Sequence, residues 1–268
     1  MFLKDITEIT KEERFLGKIA ELACGYGGGA KAFNLMAENY GISISKAKAH
    51  NIKHAWRLTN HAIVDFWATV ERGAKDAILY QKCTTARGIQ FIVKNRFLWC
   101  RLPSGRTLAY YQPTCEQQKV LCYEAPTSGF AKGRLQHTEV YHPAVHESKQ
   151  HFLEEARKVG AEPYEFSTTS ICFFGTDSKT RKWCKQSTYG GKLVENITQA
   201  VARDIMAESM LALEKEGYDI VLTVHDEIIS EVQNGSIERF KTIMENAPEW
   251  AKTLPITVEA YEAQRYRK

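Results

Sequence analysis

With 268 residues, 44% of them hydrophobic and 25% charged, the chain can bury one large core or two, and its composition is that of an ordinary folded protein. It contains no run of 18 apolar residues, and its start, MFLKDITEITKEER, turns polar at once. Neither a membrane span nor a signal peptide is therefore expected, and a cytoplasmic location follows. Seven cysteines, odd in number and without a C-x-x-C pair, argue against a disulfide framework or a zinc ribbon and read as reduced thiols.

Thr10 or Thr7 can cap a first helix running through RFLGKIAELAC, with Glu12 and Glu13 in its opening turn. Gly25-Tyr26-Gly27-Gly28-Gly29 ends it, either as a flexible corner or where backbone comes close to a partner. A short helix over Ala30–Tyr40 and a longer one over Lys46–Tyr80 follow. In the longer one Ile52, Trp56, Ile63, Phe66, Trp67, Val70, Ala74 and Ile78 approximate one core face. Ile89–Leu98 is strand-like, residues 102–106 are a turn, and Thr107–Tyr111 is the returning strand. From Gln112 to Tyr141 no period stands out. A helix over Ala144–Val159, a strand over Ser170–Phe174 and a basic loop over Asp177–Lys185 come next. Lys192–Glu216 is a strongly periodic helix with Gly217 placed to cap it, and Ile237–Glu245 is another helix before a closing strand over Leu254–Tyr261. Between those helices Val221–Val232 reads as two β-branched strands meeting at a tight acidic turn, His225-Asp226-Glu227. Such a turn can push carboxylates out of a rigid sheet edge toward a hydrated metal ion.

The basic charge is concentrated. Between Lys82 and Arg134 nine basic residues face only Glu116 and Glu124, and Lys179, Arg181, Lys182, Lys185 and Lys192 stand against Asp177. Both concentrations suit a polyanion, although a charge run is more often plain solvated surface.

Arg14, Lys18, Leu22 and Tyr26 recur every four residues, so they climb one helical face in steps of roughly 6 Å. An Arg and a Lys one turn apart can hold a polyphosphate, and Tyr26 beside the glycines can stack on a base. The full pattern R-x-x-x-K-x-x-x-x-x-x-G-Y-G, Arg14 to Gly27, resembles the nucleotide-binding helix of the family A DNA polymerases, the class of bacterial DNA polymerase I, and especially their phage and prophage members. The resemblance implies Arg14 and Lys18 on the triphosphate of a dNTP, Leu22 beside the sugar where the family often has Phe, and Tyr26 at the nascent base pair. Val224-His225-Asp226-Glu227 is similar to the family's second catalytic palm motif. It implies Asp226 as a ligand of two Mg2+ ions, His225 near the primer terminus and Glu227 supporting the metal region. Gln199, in QAVARD with Asp204, would meet template-primer DNA in the minor groove, while Arg101, Arg106, Lys182 and Lys192 would hold its backbone, with Gly190-Gly191 letting the chain approach it.

The implied fold is α+β, a fragment of a right-hand polymerase. Residues 1–84 would form helical fingers, 85–165 a basic hairpin and irregular connection, and 166–268 a partial palm with a small antiparallel sheet. The implied chemistry is template-directed nucleotidyl transfer from dNTPs to a DNA primer 3′ end, with Lys18, Asp226 and Glu227 as its catalytic residues. The family's first palm motif, roughly D-x-S-x-x-E-x-R, is missing ahead of Arg14, and DFWATVER at Asp65–Arg72 has the wrong acidic spacing to replace it. One further carboxylate is therefore expected from outside the chain, from a separately encoded amino-terminal polymerase portion. A degenerate remnant and a non-catalytic DNA-binding module are the alternatives, and the carboxylates are too dispersed for a metal-dependent nuclease.

Overall fold

The computed structural model describes residues 5–126, 136–141 and 148–266. The chain is mixed α and β, and it separates into two units, one of residues 1–100 and 109–195, the other of 101–108 and 196–268. No helix among the described residues is long and apolar enough to cross a membrane.

The first unit opens with four helices. In α1 (Lys11–Cys24) Thr10 accepts from the Glu13 amide while Glu13 accepts from the Thr10 amide, a reciprocal cap that fixes where the helix starts. Its Leu16, Ile19, Ala20 and Ala23 pack with Ala30, Phe33 and Ala37 of α2 (Ala30–Asn39) and with Ala49 and Ile52 of α3 (Lys46–Thr59). The single helix expected over Lys46–Tyr80 is two. Asn60 leaves helical geometry at φ −103°, ψ 39°, its side-chain amide donates to the Trp56 carbonyl, and α4 (His61–Tyr80) begins beyond it. The break rotates the apolar stripe, so Ile63 is exposed and Phe66 only half-buried although both fit the expected face.

A seven-stranded antiparallel sheet follows, in the order β1 (Thr84–Ala86), β2 (Ile89–Lys94), β3 (Phe97–Arg101), β4 (Thr107–Pro126), β6 (Tyr164–Thr176) and β7 (Trp183–Thr188), with β5 (Gln136–Val140) also on β4. The strand expected over Ile89–Leu98 is thus a hairpin. Asn95 and Arg96 both take positive φ, 52° and 67°, which lets a two-residue turn join β2 to β3. The segment after Gln112, where no period stands out, continues as β4. A bulge between Tyr111 and Thr114, with Gln112 at φ 47°, shifts the alternation and hides it. The strand expected over Ser170–Phe174 is the middle of β6, and the basic loop expected over Asp177–Lys185 is a short turn that enters β7 at Trp183. Helix α4 covers one face of this sheet. Thr84 donates to the Gly73 carbonyl at 2.7 Å, and a Cβ on Gly73 would stand 3.3 Å from Ala86 and 3.5 Å from Phe91. Helix α5 (Lys149–Lys158) places Phe152 and Ala156 against Tyr123; the start expected for it, 144–147, lies outside the described residues.

The second unit holds most of α6 (Gly190–Lys215), the hairpin β8 (Asp219–Val224) and β9 (Glu227–Glu231), and α7 (Ile237–Glu245). Gly217 at φ 81° ends α6 as expected. Tyr218, Leu213 and Ile243 form its small core with Ile220, Ile228 and Phe240. The closing strand expected over Leu254–Tyr261 is absent; the chain there is irregular, and the Val258 amide donates to the Glu245 carboxylate rather than to a sheet neighbour. The seven cysteines are free thiols. Burial pushes the Cys24 and Cys100 thiols up to about 11 and about 12, which leaves both protonated and inert at neutral pH.

Candidate functional site

Helix α1 sorts its side chains sharply. Leu16, Ile19, Ala20 and Ala23 are buried, whereas Arg14, Lys18 and Leu22 are exposed in a row on the opposite side. Among the described residues neither Arg14 nor Lys18 has an ion-pair partner, so two cationic side chains rooted about 6 Å apart on one helix have no countercharge of their own. Arg14 also edges a groove of about 640 Å³ between α1 and α3. Glu13 and Glu21 line that groove, which disfavours a polyanion inside it and leaves the open ridge of Arg14 and Lys18 as the place for one.

Tyr26 follows the helix in a glycine-rich turn that is tightly enclosed. A Cβ on Gly28 would fall 1.9 Å from the Ala23 carbonyl oxygen, and one on Gly191 would fall 2.2 Å from the Tyr26 carbonyl oxygen. One on Gly190 would fall 2.2 Å from the Trp67 carbonyl oxygen. Gly190 and Gly191 therefore serve the approach of the chain to itself, where approach to DNA was expected. Around the turn the Trp67 indole donates to the Gly25 carbonyl at 3.1 Å, and the Arg57 guanidinium donates to the Gly27 and Gly28 carbonyls at 3.4 Å. The Tyr189 hydroxyl donates to the Tyr26 carbonyl at 3.3 Å, and Glu71 anchors the Gly190 amide at 2.8 Å. Trp56 stacks on Trp67 with ring centroids 6.0 Å apart. Burial raises the Tyr189 phenol. Arg57, Trp67 and Tyr189 are supports that sequence reading misses, because they stand 29 to 163 residues away from the turn they hold, and Glu71 fixes the facing Gly190.

The second group of candidate residues is built on the hairpin. Val224 pairs with Glu227, so His225 and Asp226 form a two-residue turn in which His225 takes φ 53°. Both are exposed at the tip. Glu227, half-buried, accepts from the Tyr266 hydroxyl at 2.7 Å, and that bond raises the Tyr266 phenol. Gln199 is exposed on α6. Asp204 is buried and engaged: Ser104 donates to it at 2.5 Å, Arg106 donates through Nε, and the other end of the same guanidinium donates to the Ala200 carbonyl at 2.7 Å. Arg106 is therefore occupied in tying the loop 102–106 to α6. Lys192 pairs with Glu195 at 2.8 Å, while Arg101 and Lys182 are exposed.

Of the site residues expected from sequence, the first unit carries Arg14, Lys18, Leu22, Tyr26, Lys182 and Lys192. The second carries Arg101, Arg106, Gln199, His225, Asp226 and Glu227. No group of three His, Cys, Asp or Glu able to hold a metal ion exists among the described residues. Asp226 is a single exposed carboxylate, and Glu227 is partly used by Tyr266. These residues alone supply too few donors for a two-metal centre, in line with no more than one ligand from Asp226.

The chain aligns over its entire length with the DNA polymerase of Bacillus phage SP02, at 33% identity across 274 aligned positions. It is similar along its whole length to a phage DNA polymerase. The similarity spans 35% of the phage polymerase's length, so this chain corresponds to about a third of that enzyme. No family model matches, and no solved structure matches.

Proposed function

We propose that this chain is the nucleotide-binding and partial palm portion of a family A DNA polymerase, acting in template-directed extension of a DNA primer with dNTPs. The observation that carries the reading is the row on α1: Arg14 and Lys18 exposed, one helical turn apart and without ion-pair partners among the described residues, followed by Tyr26 in an enclosed glycine turn. A helix that spends two cations this way has a polyanion as its natural complement. Lys18 and Arg14 would bind the triphosphate and offset the charge that grows on it during transfer. Leu22 would lie at the sugar and Tyr26 at the base. At the hairpin, His225 would approach the primer end, Gln199 the minor groove, and Asp226 would give one ligand to Mg2+. The remaining ligands, including a further carboxylate, would come from a separately encoded polymerase portion.

Primer extension with Mg2+ and four dNTPs tests this directly, using the chain alone and then mixed with the product of the gene immediately upstream. Extension in the mixture only, abolished by Asp226→Ala, is the expected result. Extension by the chain alone would overturn the need for an outside carboxylate. The exposed basic residues Arg101 and Lys182 also suit a second reading, a DNA-binding module without catalysis. It expects salt-dependent DNA binding that neither Lys18→Ala nor added dNTP alters.

A further inference from the structure

The sheet of the first unit has two unlike faces. Leu98 and Cys100 of β3 are buried, as are Ile89 and Phe91 of β2, on the side where α4 lies. The alternate residues Phe97 and Trp99 turn the other way and are only half-buried. On that side Phe97 meets Trp99 at 5.3 Å and Tyr111 of β4 at 5.0 Å, and Tyr111 meets Trp183 of β7 at 6.1 Å. Four rings thus form a continuous row across the sheet, and Trp183 at its end is 61% exposed. The row is framed in positive charge. The Arg96 guanidinium lies over the Tyr111 ring at 5.2 Å, placed there by the left-handed turn of Asn95 and Arg96, whose carbonyl accepts from the Gln112 amide at 2.8 Å. Lys94, Lys179, Arg181 and Lys182 are exposed beside the two ends of the row; Lys179 acts on the Asp177 carboxylate, whereas Lys94, Arg181 and Lys182 have no ion-pair partner among the described residues. The nearby carboxylates are spoken for: Asp177 accepts from the amides of Lys179 and Thr180, and Glu116 pairs with Lys185.

Aromatic rings on an open sheet face, bordered by unpaired Lys and Arg, are the combination that binds a nucleic-acid single strand, in which bases are free to stack and phosphates stay within reach of the cations. A duplex keeps its bases inside and could use only the charges. A greasy partner surface would gain nothing from the cationic border. We infer that this face binds single-stranded DNA, with Trp183 and its neighbouring rings as stacking platforms and Arg96, Lys182 and Lys94 on the phosphates. The inference reaches beyond the nucleotide row and the acidic hairpin, and it is measured without dNTP or metal, so its failure is separable from theirs.

The test is fluorescence anisotropy of the full chain with a labelled oligothymidylate of about 20 nucleotides, against a duplex of equal length. The single strand should bind more tightly, and its binding should quench tryptophan emission. Trp183→Ala should weaken single-strand binding roughly 5- to 50-fold while Trp183→Phe retains most of it, and duplex binding should change by less than about twofold. Because Trp183 is exposed, its replacement leaves the fold intact, as circular dichroism checks. Equal affinity for single strand and duplex, or an unchanged single-strand affinity in Trp183→Ala, would overturn the inference. So would a switch from dimer to monomer in sedimentation of Trp183→Ala with DNA binding intact, which would make the face a contact between copies.

Discussion

The glycine turn after α1 and the acidic hairpin both carry candidate site residues, but they are supported in opposite ways. Tyr26 sits in a loop whose backbone is touched at van der Waals distance by two other stretches of chain and bonded by Trp67, Arg57 and Tyr189. Asp226 sits at the end of a two-stranded ribbon with a small core on one side, and Val221 and Leu222 on β8 are 56% and 49% exposed. An isolated pair of strands is marginal unless something packs on it. The α1 row proposed to bind a nucleotide is thus complete within its own unit, whereas the carboxylate hairpin has packing surface to spare. The proposed reading, a palm finished by other residues, expects such a difference.

The sharpest way to break the comparison is at the glycines. Gly191→Ala puts a methyl group 2.2 Å from a backbone oxygen that cannot move without carrying Tyr26 with it. A loss of about 3 kcal/mol or more is expected, read as a lowered thermal midpoint of the full chain. Gly29→Ala is the matched control, because no heavy atom lies within 4 Å of the added carbon; it should be near neutral. Equal effects from the two would show that the turn is not enclosed.

Next comes the buried carboxylate of the second unit. Arg106→Ala removes the guanidinium from Asp204 and from the Ala200 carbonyl, leaving Ser104 alone on a charge that is mostly out of water. The Arg106 side chain is itself 44% exposed, which lets solvent replace part of what is lost. We expect roughly 1 to 3 kcal/mol from chemical denaturation, with Asp204→Ala and the double variant completing a cycle. A loss of DNA affinity in Arg106→Ala without any loss of stability would instead return Arg106 to the backbone-holding role that its position in a basic cluster suggests.

At the hairpin, Leu222→Thr keeps a strand-forming side chain while removing exposed apolar surface. The chain alone should then associate less, seen as a smaller sedimentation coefficient at high concentration, with stability altered by less than about 1 kcal/mol. Stronger association after the change would show that the open face is not what draws copies together.

How far these two regions can be read from sequence follows from how local each signal is. The α1 row, the cap at Thr10 and the Val221–Val232 hairpin depend on residues within a turn or two of one another, and all stand where the sequence puts them. The long helix divided at Asn60 is harder, since a single residue changed phase while the apolar period on either side still looked continuous. The sheet is harder again. The bulge after Tyr111 breaks its alternation, and its β6 partners lie some fifty residues downstream, so beyond the 102–106 turn no local pattern marks its path. The Phe97, Trp99 and Arg96 spacing does carry a local trace of the aromatic row, an aromatic at every second position beside a basic turn, but Trp183 joins it only through sheet register. The enclosure of Tyr26 is only partly local: Gly28 faces the Ala23 carbonyl five residues away, whereas the Tyr26 carbonyl faces Gly191 at the start of α6, which no nearby residue announces.

The smallest effect concerns the turn that leads into Trp183. The Asp177 carboxylate accepts from the amides of Thr180 and Lys179 and from the Thr180 hydroxyl, and these bonds hold its pKa below the ordinary value of 3.8. A carboxyl lowered by folding contributes stability that is fully present above its unfolded value and is lost as pH falls through the folded one. The turn should therefore be intact at neutral pH and loosen only in strongly acidic solution. Asp177→Asn removes the charge and should flatten that part of the acid limb of a stability curve while changing little at neutral pH. Because the carboxylate lies at the surface, in a turn, the change in global stability should be slight. The more sensitive reading is the emission of Trp183, which shares this hairpin: its acid-induced shift should diminish in Asp177→Asn. An identical shift in both proteins would detach the turn from the face that it borders.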